Sequence, residues 1–312
     1  VQGTKLLQAP KADGGMLRPT YTDIDYWGMA QWQLNYGLYK KGSNLCYGDI
    51  SKIKAVLVNE TLKEDSAYPG KQLRGSDTGF MSLKEAFAEV NSRKNKKASY
   101  RVLVYEDTSF KSNGKYAALT LPVYAKELAL EGISPAYAES GEAEELITLS
   151  YLGKVTCKYP LTLQNISLNV FKKSGKKQIS GGAALSGGKH PVSVNGAVVI
   201  NGSATANNLS LSSDATLSVR DGLSAGDISY REGAKILVDQ KSPLTLTGAL
   251  KPGTEGEKLT LQFRESSVKN GAKVVKTGFF MPKPDLQLLQ VKDASENNYT
   301  LYRDGRYVYV RR

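Results

Sequence analysis

Short segments that alternate apolar and polar residues recur between residues 119 and 263, and few helix-forming patterns separate them. An alternation with a period of two places the apolar side chains on one face of a β-strand. The segments are residues 128–130, 146–149, 161–163, 166–168, 192–194, 198–200, 209–211, 216–219, 235–238, 244–246 and 259–261. Because strands this short cannot bury an apolar face alone, the pattern predicts that they stack on copies of themselves in a solenoid.

Glycine-containing turns separate these segments, among them Asn195-Gly196, Asn201-Gly202, Asp221-Gly222 and Glu232-Gly233. Segment centres at 210, 228 and 245 form one series, and those at 217 and 237 form a second. A repeat of about 18–20 residues indicates the coil of a parallel β-helix with two or three strands per turn. Leucine-rich repeats have a similar period, but only residues 161–165 resemble their consensus, so the β-helix is the better prediction.

The net charge of +12 over 312 residues predicts either a lysine-covered soluble surface or an acidic partner. The acidic partners considered are teichoic acid, uronic-acid polysaccharide, phospholipid and nucleic acid. Nucleic acid is not expected, because no stretch interleaves aromatic and basic residues. Membrane insertion is not expected either, because no run of 18 apolar residues occurs.

The two cysteines, Cys46 and Cys157, lie far apart in the sequence, and the single histidine, His190, cannot complete a zinc site with them. The two cysteines are either two free thiols or the two halves of one disulfide, and the sequence is compatible with both. No cofactor is expected. The sequence starts at Val1, and its strands are rich in Thr, Ser, Asn and Gly, so we expect an exported bacterial protein at the cell surface or outside the cell.

Three regions are predicted. Residues 1–78 form a β-rich N-terminal region, as outlying rungs or a cap. Residues 79–280 form the β-helix, opened by a capping helix at 82–92, in which Ser82 and Glu85 make a capping box and Leu83, Phe87 and Val90 face inward. Residues 281–312 form a capping hairpin around Asp304-Gly305, which we expect to adopt a type I′ turn.

Several motifs follow one another in this order. A Ser-Leu-x-Glu-Ala-Phe helix (82–87) precedes a Tyr-Arg-Val-Leu-Val strand (100–104), Leu-Thr-Leu-Pro (119–122), Leu-Ala-Leu-Glu-Gly (128–132) and Leu-Thr-Leu-Gln-Asn-Ile (161–166). Over residues 79–280 the chain resembles secreted or surface β-helix proteins of gut bacteria with the pectin-lyase-like right-handed fold. The resemblance implies an all-β, single-stranded right-handed parallel β-helix with an adhesin-like or glycan-binding role. Polysaccharide lyases and hydrolases share this fold.

An enzyme of this fold needs carboxylates that converge on one face, with an Arg or Lys base for a lyase. Asp221 and Asp227 with Arg220 and Arg231 are the one loose cluster of both signs, and they are the candidate catalytic residues of the enzyme alternative. The other interpretation is that they are solvated turn residues. The acidic run at residues 142–145 is interpreted as a solvated loop, so no metal site is predicted.

Aromatic residues concentrate near the N-terminus. Trp27, Trp32, Tyr26, Tyr36 and Tyr39 could stack on sugar rings, or they could fill a small core. The sequence therefore predicts a non-catalytic extracellular structural or binding module, with a polysaccharide or a host or bacterial surface glycan as its ligand. A polysaccharide lyase or glycoside hydrolase is the alternative.

Overall fold

The computed structural model describes residues 4–8, 36–41, 44–49, 53–59, 78–278 and 285–312. Within these residues the chain consists mainly of β-strands, with two α-helices and two short 3-10 helices, so the predicted all-β class is confirmed. The chain divides into two compact units. Unit 1 comprises residues 1–106 and 121–134, and unit 2 comprises residues 107–120 and 135–312. The predicted regions 1–78, 79–280 and 281–312 stay a prediction.

The helices are α1 (Leu83–Ser92) and α2 (Pro135–Ser140), and the 3-10 helices span Ala143–Glu145 and Leu286–Leu288. The first strands are β1 (Thr4–Gln8), β2 (Tyr36–Lys41), β3 (Asn44–Asp49), β4 (Ala55–Asn59), β5 (Thr78–Phe80), β6 (Ser99–Val104), β7 (Thr108–Ser109), β8 (Lys111–Ser112), β9 (Lys115–Tyr116), β10 (Glu127–Gly132), β11 (Ile147–Leu152), β12 (Val155–Thr156) and β13 (Leu161–Ser174). The others are β14 (Lys177–Ser180), β15 (Ala183–Ser186), β16 (Val192–Asn201), β17 (Ser203–Leu211), β18 (Thr216–Val219), β19 (Leu223–Tyr230), β20 (Lys235–Val238), β21 (Leu244–Leu246), β22 (Leu250–Pro252), β23 (Leu259–Phe263), β24 (Lys273–Thr277), β25 (Leu289–Lys292), β26 (Asn298–Asp304) and β27 (Tyr307–Arg311).

Unit 1 combines antiparallel and parallel pairs of strands. β3 pairs antiparallel with β1 and β2, and β4 pairs antiparallel with β5 and β6. β6 pairs in parallel with β10. Ile53, Val56, Val58 and Leu103 form a buried apolar cluster in this unit.

Helix α1 begins as the sequence predicts. The Ser82 Oγ atom accepts a hydrogen bond from the Glu85 backbone N–H at 3.2 Å, which satisfies one of the free N–H groups of the first turn. The reciprocal bond of the predicted capping box is absent between these two described residues, and Glu85 Oε2 is buried without a hydrogen-bond partner there. Leu83, Phe87 and Val90 are buried, and the helix packs against β4, β5 and β6. Its predicted role as a cap of the repeat region stays a prediction.

Unit 2 contains a long, mostly parallel sheet whose strand pairs fall into three series. Series A runs through β11, β13, β16, β18, β20, β23 and β25. Series B runs through β13, β16, β17, β19 and β22. Series C runs through β12, β15, β17, β19, β21 and β24. Four long strands each take part in two series: the first part of β13 and β16 pairs in series B and the second part in series A, whereas β17 and β19 pair first in series C and then in series B. The chain therefore passes from C to B to A and then returns to C.

The register in the middle of unit 2 is regular. Thr216 pairs with Ala197 on one side and with Lys235 on the other, and these two partners are equally far from it along the chain. In-register pairing places like side chains over one another. Val198, Leu217, Ile236, Leu261 and Val291 are successive partners in series A. Each is at most 2% exposed, so together they form a continuous apolar column.

The predicted grouping of centres 210, 228 and 245 into one series is wrong. Ser210 does pair with Ser229, but Ser229 then pairs with Lys251 of β22. Thr245 pairs instead with Ser224, which belongs to series C. The sequence pattern did not reveal series C as a separate set of strands, because many of its buried positions are alanine.

The turn from series B to series A has a left-handed residue in successive repeats. Asn165, Gly196, Asp214 and Gly233 have φ angles of 46°, 59°, 56° and 75°. From one repeat to the next, this left-handed position is occupied alternately by a polar residue and by glycine. A Cβ atom on Gly233 would overlap with Asp214 Oδ1 and lie 2.9 Å from its Cγ, and one on Gly196 would overlap with Asn165 Oδ1. The glycines therefore leave the space that the neighbouring side chains occupy.

Antiparallel pairs make the sheet of unit 2 mixed, which corrects the expectation of a purely parallel one. β13 continues into an antiparallel hairpin with β14. The predicted C-terminal hairpin is confirmed as β26 and β27, and these strands also pair with β25 and β24. Asp304 pairs directly with Tyr307, so Gly305 and Arg306 are the central turn residues. Only Gly305 of the two has a positive φ, 55°, which fits a type II′ turn and not the predicted type I′.

Candidate functional site

A depression of about 440 Å³ lies on the surface of unit 2, and we call it the polar groove. It is lined by Asn169, Lys172, Ser180, Gly181, Asn201, Arg220 and Asp221. Lys172, Ser180, Arg220 and Asp221 are exposed, and the two asparagines are half-buried. The groove is therefore open to solvent and lined almost entirely by polar groups.

The strands of series A position one wall of the groove. Asn169 at the end of one strand segment is the register partner of Asn201 in the next strand. Arg220 occupies the corresponding place one repeat later, because the preceding residue, Val219, pairs with Ile200. The three polar side chains follow buried apolar residues, and the alternation of a strand turns them away from the core.

The opposite wall is the loop that returns from β14. The Gly181 N–H donates to the Val170 carbonyl at 2.8 Å. The Gly182 N–H donates to Asp221 Oδ2 at 3.2 Å. The Asp221 N–H donates to the Gly202 carbonyl at 3.1 Å. These bonds hold the carboxylate of Asp221 at the rim, close to the backbone of the loop.

The groove carries two cations and one carboxylate. Lys172 and Arg220 form no ion pair with any residue that the structure describes. Asn201 Oδ1 is buried and has no hydrogen-bond partner among those same residues. A buried polar atom left without a partner costs about 1–3 kcal/mol. The groove offers ammonium, guanidinium, amide and hydroxyl donors beside amide and carboxylate acceptors.

The four candidate catalytic residues lie at three different places in the repeat. Arg220 and Asp221 line the polar groove, after β18. Asp227 lies in β19, where its carboxylate accepts from the Ala249 N–H at 2.9 Å and from Lys251 Nζ at 2.5 Å. These two hydrogen bonds lower the pKa of Asp227. Arg231 lies in the turn after β19, and neither it nor Asp227 lines the groove.

The other predicted features lie elsewhere. The acidic run at residues 142–145 is exposed and includes the 3-10 helix Ala143–Glu145. Among the described residues, no three His, Cys, Asp or Glu side chains are grouped closely enough to hold a metal ion. Cys157 is a free, buried thiol, and burial raises its pKa to about 12. The side chain of Cys46 lies outside the described part of the chain.

The aromatic residues predicted to bind a sugar lie outside the part of the chain, or the side chains, that the structure describes. Tyr26, Trp27 and Trp32 lie outside the described residues. Tyr36 and Tyr39 belong to β2, and their side chains also lie outside what the structure describes.

No protein-family model, curated protein or solved structure matches this chain. In the described ranges, no helix combines the length and the apolar character needed to cross a bilayer. The function is therefore inferred from the polar groove itself.

Five residues of the groove were not predicted from the sequence: Asn169, Lys172, Ser180, Gly181 and Asn201. A signal for two of them exists. Asn169 and Asn201 each follow an alternating apolar segment that ends in Leu168 or Ile200. Aligning those segments by register would have placed both amides on one face, beside Arg220.

Proposed function

We propose that this chain is a non-catalytic binding module of a bacterial surface protein, in which unit 2 is a right-handed parallel β-helix that binds a glycan in the polar groove. The observation that carries the proposal is the groove, in which amides, a hydroxyl, two cations and one carboxylate surround a solvent-open depression of about 440 Å³.

The pairing of the strands supports the β-helix. Three parallel series in which the chain visits C, B and A in turn are the arrangement of a coil with three strands. The stretch of chain from Thr216 to its partner Lys235 is one such coil. Right-handedness follows from a general rule, since connections between parallel strands of one sheet are right-handed in about 98% of cases.

The chemistry of the groove supports a glycan ligand. A sugar presents many hydroxyl groups that both donate and accept hydrogen bonds. The amides of Asn169 and Asn201 match this mixture, since each offers two donors and one acceptor oxygen. Asp221 accepts from hydroxyl groups, and Arg220 and Lys172 donate to them. The volume is within the range of small-molecule sites, roughly 300–1,000 Å³.

The arrangement of carboxylates favours binding over hydrolysis. Glycoside hydrolases usually act with two carboxyl groups about 5–9.5 Å apart on either side of the bond. Asp221 is the one carboxylate among the groove residues. The lyase alternative keeps one supporting observation, because Arg220 and Lys172 share the groove and a lyase needs a basic residue beside an acidic sugar. The surface location rests on the resemblance to secreted β-helix proteins.

Binding to immobilised polysaccharides tests the proposal. The panel contains neutral and acidic polymers, and affinity is measured by surface plasmon resonance. We expect a double variant, Asn169→Ala with Asn201→Ala, to weaken binding at least about tenfold, because the ligand loses its hydrogen bonds to two amide side chains of the groove. The matched control is Asn208→Ala, an exposed asparagine of β17 that does not line the groove.

Two results would overturn the proposal. If no member of a broad panel binds, or if Asn208→Ala weakens binding as much as the groove variant, the groove is not a glycan site. New reducing ends, or the ultraviolet absorbance of an unsaturated sugar, after incubation with the bound polymer would show a hydrolase or a lyase instead.

A further inference from the structure

Two neighbouring hairpins of unit 2 carry an unusual concentration of positive charge. They are formed by β8 with β9 and by β13 with β14, and we call them the lysine hairpins. Residues 110–117 and 171–180 contain no Asp or Glu. They contain six lysines, all exposed: Lys111, Lys115, Lys172, Lys173, Lys176 and Lys177. None of the six forms an ion pair with a residue that the structure describes.

Specific contacts hold the two hairpins together despite this charge. The rings of Tyr116 and Phe171 stack with their centroids 3.8 Å apart and an interplanar angle of 10°. The side chain of Gln178 accepts from the Tyr116 N–H at 2.8 Å and donates to the Tyr116 carbonyl at 2.9 Å. Like charges held close together repel one another and lower stability. These contacts place the two lysine-bearing hairpins side by side, and the shared positive charge favours a binding surface for an anion.

The lysine hairpins are continuous with the polar groove. Lys172 and Ser180 belong to the larger hairpin and also line the groove. The aliphatic part of Lys172 lies along the returning loop, since a Cβ on Gly182 would be 3.1 Å from its Cδ. A polymer seated in the groove could thus continue along the hairpin without leaving the surface.

The type of cation indicates the type of anion. Both hairpins use lysine and contain no arginine. A lysine ammonium acts as a compact point charge that can meet an anionic oxygen from any direction, whereas the planar fork of arginine binds two oxygens of a carboxylate or a phosphate at once in a fixed geometry. A lysine-only surface therefore suits anions whose orientation varies along a flexible polymer, as that of a sulfate ester does. The carboxylate of Asp221 in the groove would repel a continuous phosphodiester backbone, but it can accept hydrogen bonds from sugar hydroxyl groups. This combination favours an anionic group carried on a polysaccharide.

We infer that the lysine hairpins extend the polar groove into a binding surface for a sulfated polysaccharide. The inference rests on the proposed glycan-binding role and names its ligand class. Each sulfate would lie among the ammonium groups of the hairpins, while the sugar hydroxyls lie against the asparagines of the groove. Because the contacts are exposed ion pairs, affinity should fall as salt rises.

The test compares binding of the full chain to dextran sulfate, polygalacturonate, neutral dextran and single-stranded DNA. The hairpin variant replaces Lys173, Lys176 and Lys177 by Gln, all outside the groove. We expect it to bind dextran sulfate roughly tenfold more weakly, with a shallower salt dependence, since each exposed ion pair contributes modestly. A matched variant replaces Lys241, Lys258 and Lys269 by Gln, which removes the same charge from exposed positions of unit 2 outside the groove and the lysine hairpins. We expect it to change affinity less than twofold.

The outcomes separate this inference from the proposed function. Loss of affinity in both triple variants alike would show a net-charge effect and overturn the inference. Stronger binding of DNA would assign the surface to nucleic acid, and stronger binding of polygalacturonate would assign it to carboxylated sugars. Neutral dextran that binds through the asparagines, with no effect of the hairpin variant, would leave the proposed function intact and refute the sulfated ligand. Failure of every polysaccharide would refute both.

Discussion

The stacked left-handed turns of unit 2 allow a well-controlled test of how closely successive repeats approach. Gly233 lies at the third position of a turn closed by a hydrogen bond from the Ala234 N–H to the Arg231 carbonyl at 3.1 Å. Its φ angle is 75°. Gly256 lies at the same position of a similar turn, closed from the Glu257 N–H to the Thr254 carbonyl at 3.3 Å, with a φ of 89°. Each glycine follows a glutamate.

The two glycines differ in what a methyl group would meet. A Cβ at Gly256 has no atom within 4 Å, whereas one at Gly233 would overlap with Asp214 Oδ1 and lie 3.2 Å from Asp214 Cα. Replacement by alanine at a positive φ costs about 1–2 kcal/mol, of which about 0.4–1 kcal/mol is recovered from the unfolded chain. Crowding at a packed position adds about 1–3 kcal/mol. We therefore expect Gly256→Ala to cost about 1 kcal/mol and Gly233→Ala about 2–4 kcal/mol.

Urea unfolding followed by circular dichroism measures both values, provided that the slope of the transition is unchanged. The double variant Gly233→Ala with Asp214→Gly removes the obstructing side chain. The loss in free energy of unfolding of this double variant should be close to that of Gly256→Ala. Equal costs for the two single variants would refute the close approach of the two repeats, and an unimproved double variant would show that Asp214 is not the obstacle.

Two further predictions concern a buried carboxylate and the helix of unit 1. Asp293 has no exposed surface and accepts hydrogen bonds from the side chain and N–H of Asn297, from the Tyr299 hydroxyl and from the Ser295 N–H. These bonds lower its pKa below the usual 3.8. Since the folded pKa is the lower one, its contribution is present above the unfolded value and is lost as pH falls through the folded value. Asp293→Asn should therefore lower the urea midpoint near neutral pH and reduce its fall on acidification, and an unchanged acid profile would contradict this. Phe87 is 5% exposed, so Phe87→Ala should destabilise the protein by about 3–5 kcal/mol. The exposed Lys84→Ala on the same helix should cost under about 0.5 kcal/mol, and a loss below about 1 kcal/mol for Phe87→Ala would place the ring outside a packed core.

The strands of series A and B could be predicted from the sequence because their buried positions are large and apolar. Leu217 and Ile236 are of this kind. Series C was not recognised, because Ala204 and Ala225 are buried there and alternate with serine and threonine. Small buried residues that alternate with serine and threonine give little hydropathy contrast. The centre at 245 was assigned to the wrong series for that reason.

The polar groove could be predicted only in part. Arg220 and Asp221 were identified as one pair of charges in a turn, but their neighbours Asn169 and Asn201 lie in earlier repeats. Those two are farther apart along the chain than register partners in the later repeats, because Asn169 pairs with Asn201 across the inserted β13–β14 hairpin. An insertion of this kind breaks the local period. The register then becomes known only when the strands are paired in three dimensions.

The constant offset between β16, β18 and β20 has a consequence for how such a chain can change in length. The offset is the number of residues between a residue and its partner in the next strand of the series, for example from Thr216 to Lys235. A duplication or deletion of this length within the stretch would return every strand to an equivalent partner, and every side chain would keep its side of the sheet. A change of one residue within a strand would turn its buried side chains outward. The unit of length change that the register of these three strands tolerates is therefore one whole interval between register partners. Surfaces such as the lysine hairpins can then be inserted at one turn without disturbing the repeats beyond it.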